Sequence, residues 1–258
     1  KFARAIMTTD TFPKEIATKL WMGNQVITVA GVAKGAGMIY PDMATLLAFI
    51  TTDAAIDVDL ARTALQESVD ESFNMIAIDN DTSTNDMVLL LANGLAGNKP
   101  LKPGTAEAGY FQYALRQACL YLAKCIARDG EGSTKLLEIY VEGAQTLKEA
   151  RLAARTVAAS SLVKAAVHGN DPNWGRVLAA LGRSGTEIDP SVIDLYLDRL
   201  CMLENGCPVP FNEKEAKSLL NSAEVRIEIH LKLGEESATA WGCDLSEEYV
   251  TLNADYVT

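Results

Sequence analysis

Two hydrophobic periods that no single kind of backbone can satisfy alternate along this chain, and together they set its fold class. Val225, Ile227, Ile229, Leu231 and Leu233 recur at every second residue, with Arg226, Glu228, His230 and Lys232 between them. That is a strand with one core face and one wet face. Ala108, Phe111, Leu115, Ala118, Leu122 and Cys125 instead recur at spacings of three and four, a single helical stripe that ends at Asp129-Gly130. The same alternation fills the rest of the chain. Gln25 to Val32, Thr45 to Thr52, and Leu137, Ile139 and Val141 read as strands. A helix follows Asp57 or Asp59 with Leu60, Ala64, Leu65, Val69 and Phe73 on one face, and the alanine-rich run from Thr146 to Val167 reads as one helix. Strands and helices interleave without a Gly-x-Gly-x-x-Gly loop, which predicts an α/β fold of mixed layered sheets and helices and not a dinucleotide-binding one.

Composition narrows the partners. A net charge of -11 argues against nucleic acid or an anionic membrane surface. No apolar run approaches the roughly 20 residues that span a bilayer. The five cysteines contain no Cys-x-x-Cys pair, which fits reduced thiols in a cytoplasmic or organellar compartment. His168 and His230 have no cysteine near them at ligand spacing, so no metal is expected. The chain opens on Lys1, as a fragment or a processed product would.

The segment Ala33-Lys34-Gly35-Ala36-Gly37-Met38-Ile39-Tyr40-Pro41-Asp42-Met43-Ala44-Thr45-Leu46-Leu47 lies between two predicted strands. A β-branched threonine at a strand mouth has few rotamers, so its hydroxyl can be aimed at a neighbouring carbonyl. If that carbonyl belongs to Ala44, attack gives an ester, and hydrolysis frees a new N-terminus at Thr45. A threonine so exposed has a hydroxyl nucleophile and an α-amine of pKa near ~8 that can serve as its base. Taken alone, Met-Ala-Thr reads as the ordinary start of a strand.

The longer segment resembles the cleavage block of the ornithine acetyltransferases, the bifunctional glutamate N-acetyltransferases of arginine biosynthesis. Five further blocks of that family occur in order. They are Ala5 to Thr11, Asp81-Thr82-Ser83-Thr84-Asn85-Asp86, Arg128 to Lys135, Gly169-Asn170-Asp171-Pro172-Asn173-Trp174-Gly175-Arg176, and Asn253-Ala254-Asp255-Tyr256. The chain departs from the pattern at Tyr40 and Asp42, where histidine and asparagine are common, and at Val257, where arginine is common.

The resemblance implies an N-terminal-nucleophile-like (DmpA/ArgJ-like) architecture and cleavage between Ala44 and Thr45. Residues 1–44 would be the C-terminal part of an α fragment and 45–258 a β fragment, with no independent domain boundary predicted besides. It implies Thr45 as the acetyl-carrying nucleophile and Thr8, Lys34, Thr45, Glu131, Asn253 and Thr258 as substrate contacts. The expected reaction moves the acetyl group from N2-acetylornithine to glutamate, without a cofactor, with acetyl-CoA as a further donor in bifunctional members. A Thr-Gly pair upstream of Lys1 would supply the oxyanion hole. Paired α and β fragments would form a heterotetramer in the cytoplasm, or in an organelle matrix in a eukaryote.

These roles suit the side chains. Lys34 can pair with an α-carboxylate, Glu131 can receive an ammonium, and hydroxyls and an amide can fix the pose. Each has a plainer alternative: Lys34 as a solvated turn lysine, Glu131 as a loop carboxylate beyond a helix C-terminus, Asn253 and Thr258 as a frayed terminus. Gly130 to Lys135 lacks P-loop spacing and reads as a substrate loop. Asp79 to Asp86 lacks the terminal glutamate of a calcium loop. An N-terminal-nucleophile amidohydrolase or aminopeptidase, with water as acceptor, is the alternative activity.

Overall fold

The computed structural model describes residues 1–40, 46–82 and 85–255. Its strands are β1 (Lys14–Met22), β2 (Gln25–Lys34), β3 (Leu47–Thr52), β4 (Ile76–Ala77), β5 (Met87–Ala92), β6 (Leu136–Ala144), β7 (Asp194–Leu197), β8 (Leu200–Glu204), β9 (Cys207–Pro208), β10 (Glu224–His230) and β11 (Glu236–Cys243). Its helices are α1 (Phe2–Ala5), α2 (Val58–Asp70), α3 (Ala106–Arg128), α4 (Leu147–Ala158), α5 (Ser161–His168), α6 (Trp174–Gly182), α7 (Glu213–Leu220) and α8 (Glu247–Asp255). They gather into two compact units, one of residues 1–74 and 81–126 and one of 75–80 and 127–258. The mixed α/β character read from the two periods is what the chain adopts.

In the first unit a four-stranded sheet runs β1-β2-β3-β5. β1, β2 and β3 pair antiparallel, whereas β3 and β5 are parallel and are joined through α2. A parallel pair requires such a crossover, and Asp57 starts it by accepting the amides of Asp59 and Leu60. Ile27, Val29, Ala48 and Ile50 line the buried face of the sheet, and Phe111, Leu115 and Leu122 of α3 are fully buried. At Gly31 helix and sheet meet closely. A β-carbon there would lie 2.8 Å from Ile50 Cδ1 and 2.9 Å from Leu122 Cδ1. The hairpin partner β1 escaped the sequence reading because Lys14 and Thr18 fall on its inner face while Ala17 and Trp21 fall on the exposed one.

The second unit is built on a seven-stranded sheet, β4-β11-β6-β10-β7-β8-β9. β10 alternates as its sequence predicts. Val225, Ile227 and Ile229 are buried, while Arg226 on the other face bridges Glu138 at 2.9 Å and Glu228 at 2.8 Å. α4 packs on β6 and β11. The alanines explain how close: Ala150, Ala153, Ala154 and Ala158 are fully buried, and a β-carbon on Gly242 of β11 would stand 3.2 Å from the Ala158 carbonyl.

The single helix expected from Thr146 to Val167 is in fact two. Ser160 turns the chain between them and its hydroxyl accepts the Val163 amide, starting α5. A serine offers a local acceptor that competes with continuing the helix, a signal hidden inside an alanine run.

Gly31→Val should overpack the α3 contact and lower stability by about 1 to 3 kcal/mol. In a Leu122→Ala background, where that space is open, the same change should cost clearly less. Urea denaturation of the four proteins of this cycle measures the difference.

Candidate active site

In the first unit the sequence blocks meet around the start of β3. Lys34, the last residue of β2, pairs in register with Leu47, and on the other side Leu47 pairs with Met87 of β5. The first residues of β3 are therefore held on both flanks. Leu46 donates its amide to Asp86 Oδ1 at 2.9 Å, and its carbonyl accepts the Met87 amide at 3.1 Å. Upstream, Thr82 Oγ1 donates to the Tyr40 carbonyl at 3.3 Å. The polar loop after Asp79 thus reaches both described ends of the cleavage block.

Asp86 is unusual within this set. Its Oδ2 is buried and has no hydrogen-bond partner among the described residues. Burial pushes its carboxyl above the ordinary carboxylate range, opposed by the Leu46 amide and the Lys34 charge.

Asp10 organises the other side. Its carboxylate is fully buried and accepts Lys14 Nζ at 2.6 Å, the Gly35 amide at 2.8 Å and the Thr8 amide at 3.1 Å. Burial alone would raise its pKa. The Gly35 amide, the Lys14 ammonium and the Thr8 amide outweigh that effect and hold it below the ordinary range. One group thus fixes Thr8 and the residue next to Lys34. Sequence reasoning quoted Asp10 inside a block but gave it no role. An aspartate four residues before a lysine was the available signal, and β1's irregular pattern masked it.

In the second unit the same device recurs. Asp244 is 2% exposed and accepts the amides of Thr134 (2.7 Å) and Lys135 (2.9 Å), the Thr134 hydroxyl (2.6 Å) and His168 Nδ1 (2.7 Å). Burial opposes its charge, but the Thr134 and His168 side chains and the two amides keep its pKa low. Lys135 in turn donates to the carbonyls of Val167 (2.7 Å) and His168 (3.4 Å) and to Asn170 Oδ1 (2.5 Å), which ties the Arg128 block to the Gly169 block. Gly132, at φ +68, lets α8 come close, since a β-carbon there would lie 2.5 Å from the Tyr249 amide nitrogen. Ser246 Oγ donates to the Gly132 carbonyl.

That close approach brings two predicted contacts together. Asn253 on α8 donates to Glu131 Oε2 at 2.9 Å. Asn253 is exposed and Glu131 half-buried, so both can meet a ligand. Thr8 and Lys34 lie in the first unit, with Thr8 exposed and Lys34 half-buried. Ala44, Thr45 and Thr258 lie outside the described residues. Among the described residues no group of three or more His, Cys, Asp or Glu could hold a metal ion, and no helix is long and apolar enough to cross a membrane.

Comparison with known proteins places these observations. The ArgJ family model matches residues 1–258. The chain is similar to the arginine biosynthesis bifunctional protein ArgJ of Symbiobacterium thermophilum, 57% identical over 256 residues, covering 99% of this chain and 64% of that protein. Its counterpart in Dehalococcoides mccartyi is 54% identical over 258 residues, again 64% of that protein. The chain thus spans less than two thirds of the length of these curated relatives. A crystal structure of the Bacillus halodurans arginine biosynthesis bifunctional protein ArgJ aligns with a TM-score of 0.79 at 45% identity, covering 81% of this chain and 98% of that one.

The two carboxylate hubs make stability depend on acid. Asp10's pKa is lower folded than unfolded, so its contribution is present above about pH 4 and is lost as pH falls through the folded-state value. Asp10→Asn should therefore lower the urea midpoint at neutral pH and flatten its dependence below about pH 4 relative to the parent.

Proposed function

Because this chain belongs to the ArgJ family, we propose that it is a self-cleaving acetyltransferase that moves the acetyl group of N2-acetylornithine to glutamate. Supporting this reading is the family match over residues 1–258, with Glu131 and Asn253 in contact and both described ends of the cleavage block held by one loop.

In the proposed maturation, Thr45 Oγ attacks the Ala44 carbonyl, the peptide becomes an ester, and water releases Ala44 as a carboxylate and Thr45 as a free α-amine. In transfer, that amine takes the hydroxyl proton as Oγ attacks the acetyl carbonyl. The tetrahedral intermediate collapses when the departing nitrogen regains the proton, and ornithine leaves. The glutamate amine then attacks the acetyl-threonine ester, gives N-acetylglutamate and restores Thr45. Each tetrahedral oxyanion needs donors worth a few kcal/mol each, which the family resemblance assigns to a Thr-Gly pair upstream of Lys1.

Lys34 pairs with the substrate α-carboxylate and Glu131 takes the ornithine ammonium, with Asn253 holding the Glu131 carboxylate in place. Thr8 and Thr258 complete the set with hydroxyl donors. The proposal extends to acetyl-CoA as a second donor, to no cofactor, to residues 1–44 and 45–258 as parts of α and β fragments, to their assembly as a heterotetramer, and to the cytoplasm.

Intact-mass analysis of the full-length protein should show fragments that end at Ala44 and begin at Thr45. Thr45→Ala should abolish both cutting and acetyl transfer. Transfer retained in Thr45→Ala, or an uncut active parent, overturns the mechanism, and acetate released without glutamate indicates a hydrolase instead. Glu131→Gln should raise KM for N2-acetylornithine roughly 10- to 100-fold, since a charged hydrogen bond to the ammonium is lost, and leave kcat nearly unchanged.

A further inference from the structure

Glu131 stands in a turn and Asn253 on a helix that buries no residue, and the side chain of Ser246 ties the turn to the start of that helix. Ser133 closes the turn by donating its amide to the Gly130 carbonyl at 2.8 Å, with Gly132 at φ +68 as its third residue. None of the nine residues of α8 is buried. A helix this short is marginal by propensity, so its place is set by what its start is tied to.

Three ties hold that start, and they differ in kind. Ser246, immediately before α8, is 8% exposed, and its Oγ donates at 2.5 Å to the Gly132 carbonyl, one residue beyond Glu131. His168 Nε2 lies 3.5 Å from Glu247 Oε2, but the Glu247 side chain is 95% exposed, where water and salt screen an ion pair to little effect. The Leu245 amide donates to the Lys164 carbonyl at 3.3 Å, which fixes the chain to α5 and not to the turn. The buried hydroxyl is thus the strongest of the three and the one that reaches the Glu131 turn.

We infer that Ser246 is a positioning residue for the pair of Glu131 and Asn253, and that its hydroxyl sets the specificity of this site for a substrate that ends in an ammonium. This inference rests on the role proposed above for Glu131. From Ser246 to Asn253 the helix climbs two turns, or about 10 Å. A tilt of about 5° at its start therefore displaces Asn253 by about 1 Å, enough to break its 2.9 Å hydrogen bond to Glu131. With its hydroxyl committed to Gly132, Ser246 acts through Glu131 and Asn253. Its loss also leaves the Gly132 carbonyl without this donor, beside a helix that already presses on Gly132.

The test is Ser246→Ala in the full-length protein, assayed with N2-acetylornithine and with N-acetylnorvaline, which has the same carbon chain without the terminal ammonium. The parent should prefer N2-acetylornithine in kcat/KM. Ser246→Ala should raise KM for N2-acetylornithine roughly 3- to 10-fold with kcat nearly unchanged, and leave kcat/KM for N-acetylnorvaline within about 2-fold of the parent. In a Glu131→Gln background the same change should move KM by less than about 2-fold, because both substitutions remove one interaction. Glu247→Gln should stay within about 2-fold of the parent. If Ser246→Ala melts below the assay temperature, Ser246→Cys, a weaker donor of similar size, is measured in its place with the same expectations.

A Ser246→Ala protein that handles both substrates worse by the same factor shows a general structural role and overturns the inference. So does an unchanged KM, an effect that persists in full in the Glu131→Gln background, or an equal rise in Glu247→Gln, which would assign the seat of α8 to the ion pair. A parent that transfers nothing, or does not prefer the ammonium, refutes the role of Glu131, and the inference falls with it. A parent with that preference and a Ser246→Ala that keeps it undiminished sinks the inference alone.

Discussion

A carboxylate stays charged inside a protein only when enough donors meet it, and each unit of this molecule hangs its loops on one such group. Asp10 gathers Thr8, Lys14 and Gly35, and Asp244 gathers Thr134, Lys135 and His168. Both pay for burial with several short, charge-assisted bonds. The consequence is stiffness in segments that contain neither helix nor strand. The turn after β2 and the loop from Gly130 to Lys135 are held by the core, not by their own backbone pattern, and this lets Lys34 and Glu131 project from defined positions.

Asp86 shows the same chemistry left incomplete. It anchors Leu46 but keeps one lone pair unmet among the described residues. Asp10 and Asp244 meet donors on both oxygens and Asp86 on one, and burial raises the Asp86 pKa. The contrast separates two uses of one residue type by counting donors, which sequence alone cannot do.

Much of the architecture was readable from periodicity. The stripe of α3 and the alternation of β10 are long, uninterrupted and only weakly dependent on distant residues, so the chain follows them. β1 was not readable, because its inner face carries Thr18 and the ion-paired Lys14 while its open face carries Ala17 and Trp21, which blurs the apolar alternation. The break at Ser160 was lost in an alanine run whose helical propensity is high on both sides. The contact of Glu131 with Asn253 was legible only as two family blocks. They are brought together by Gly132, whose missing side chain matters because a helix presses against it. Asp244 escaped a role since its partners Thr134, Lys135 and His168 lie 76 to 110 residues away in the chain, whereas for Asp10 only Gly35 is distant.

The antiparallel ladder of β2 and β3, in register from Val29 with Thr52 to Lys34 with Leu47, flanks the proposed junction on both sides. While the chain is continuous, closing that ladder is an intramolecular event at high effective concentration. Once the junction is severed, nothing covalent joins the two strands, and the ladder and the buried face they share keep neighbouring edges of one sheet together. The severed form is then a product of its own history. Unfolded at high dilution, its pieces must find each other by diffusion, so recovery becomes second order in protein, although the native contacts are the ones the unbroken chain made.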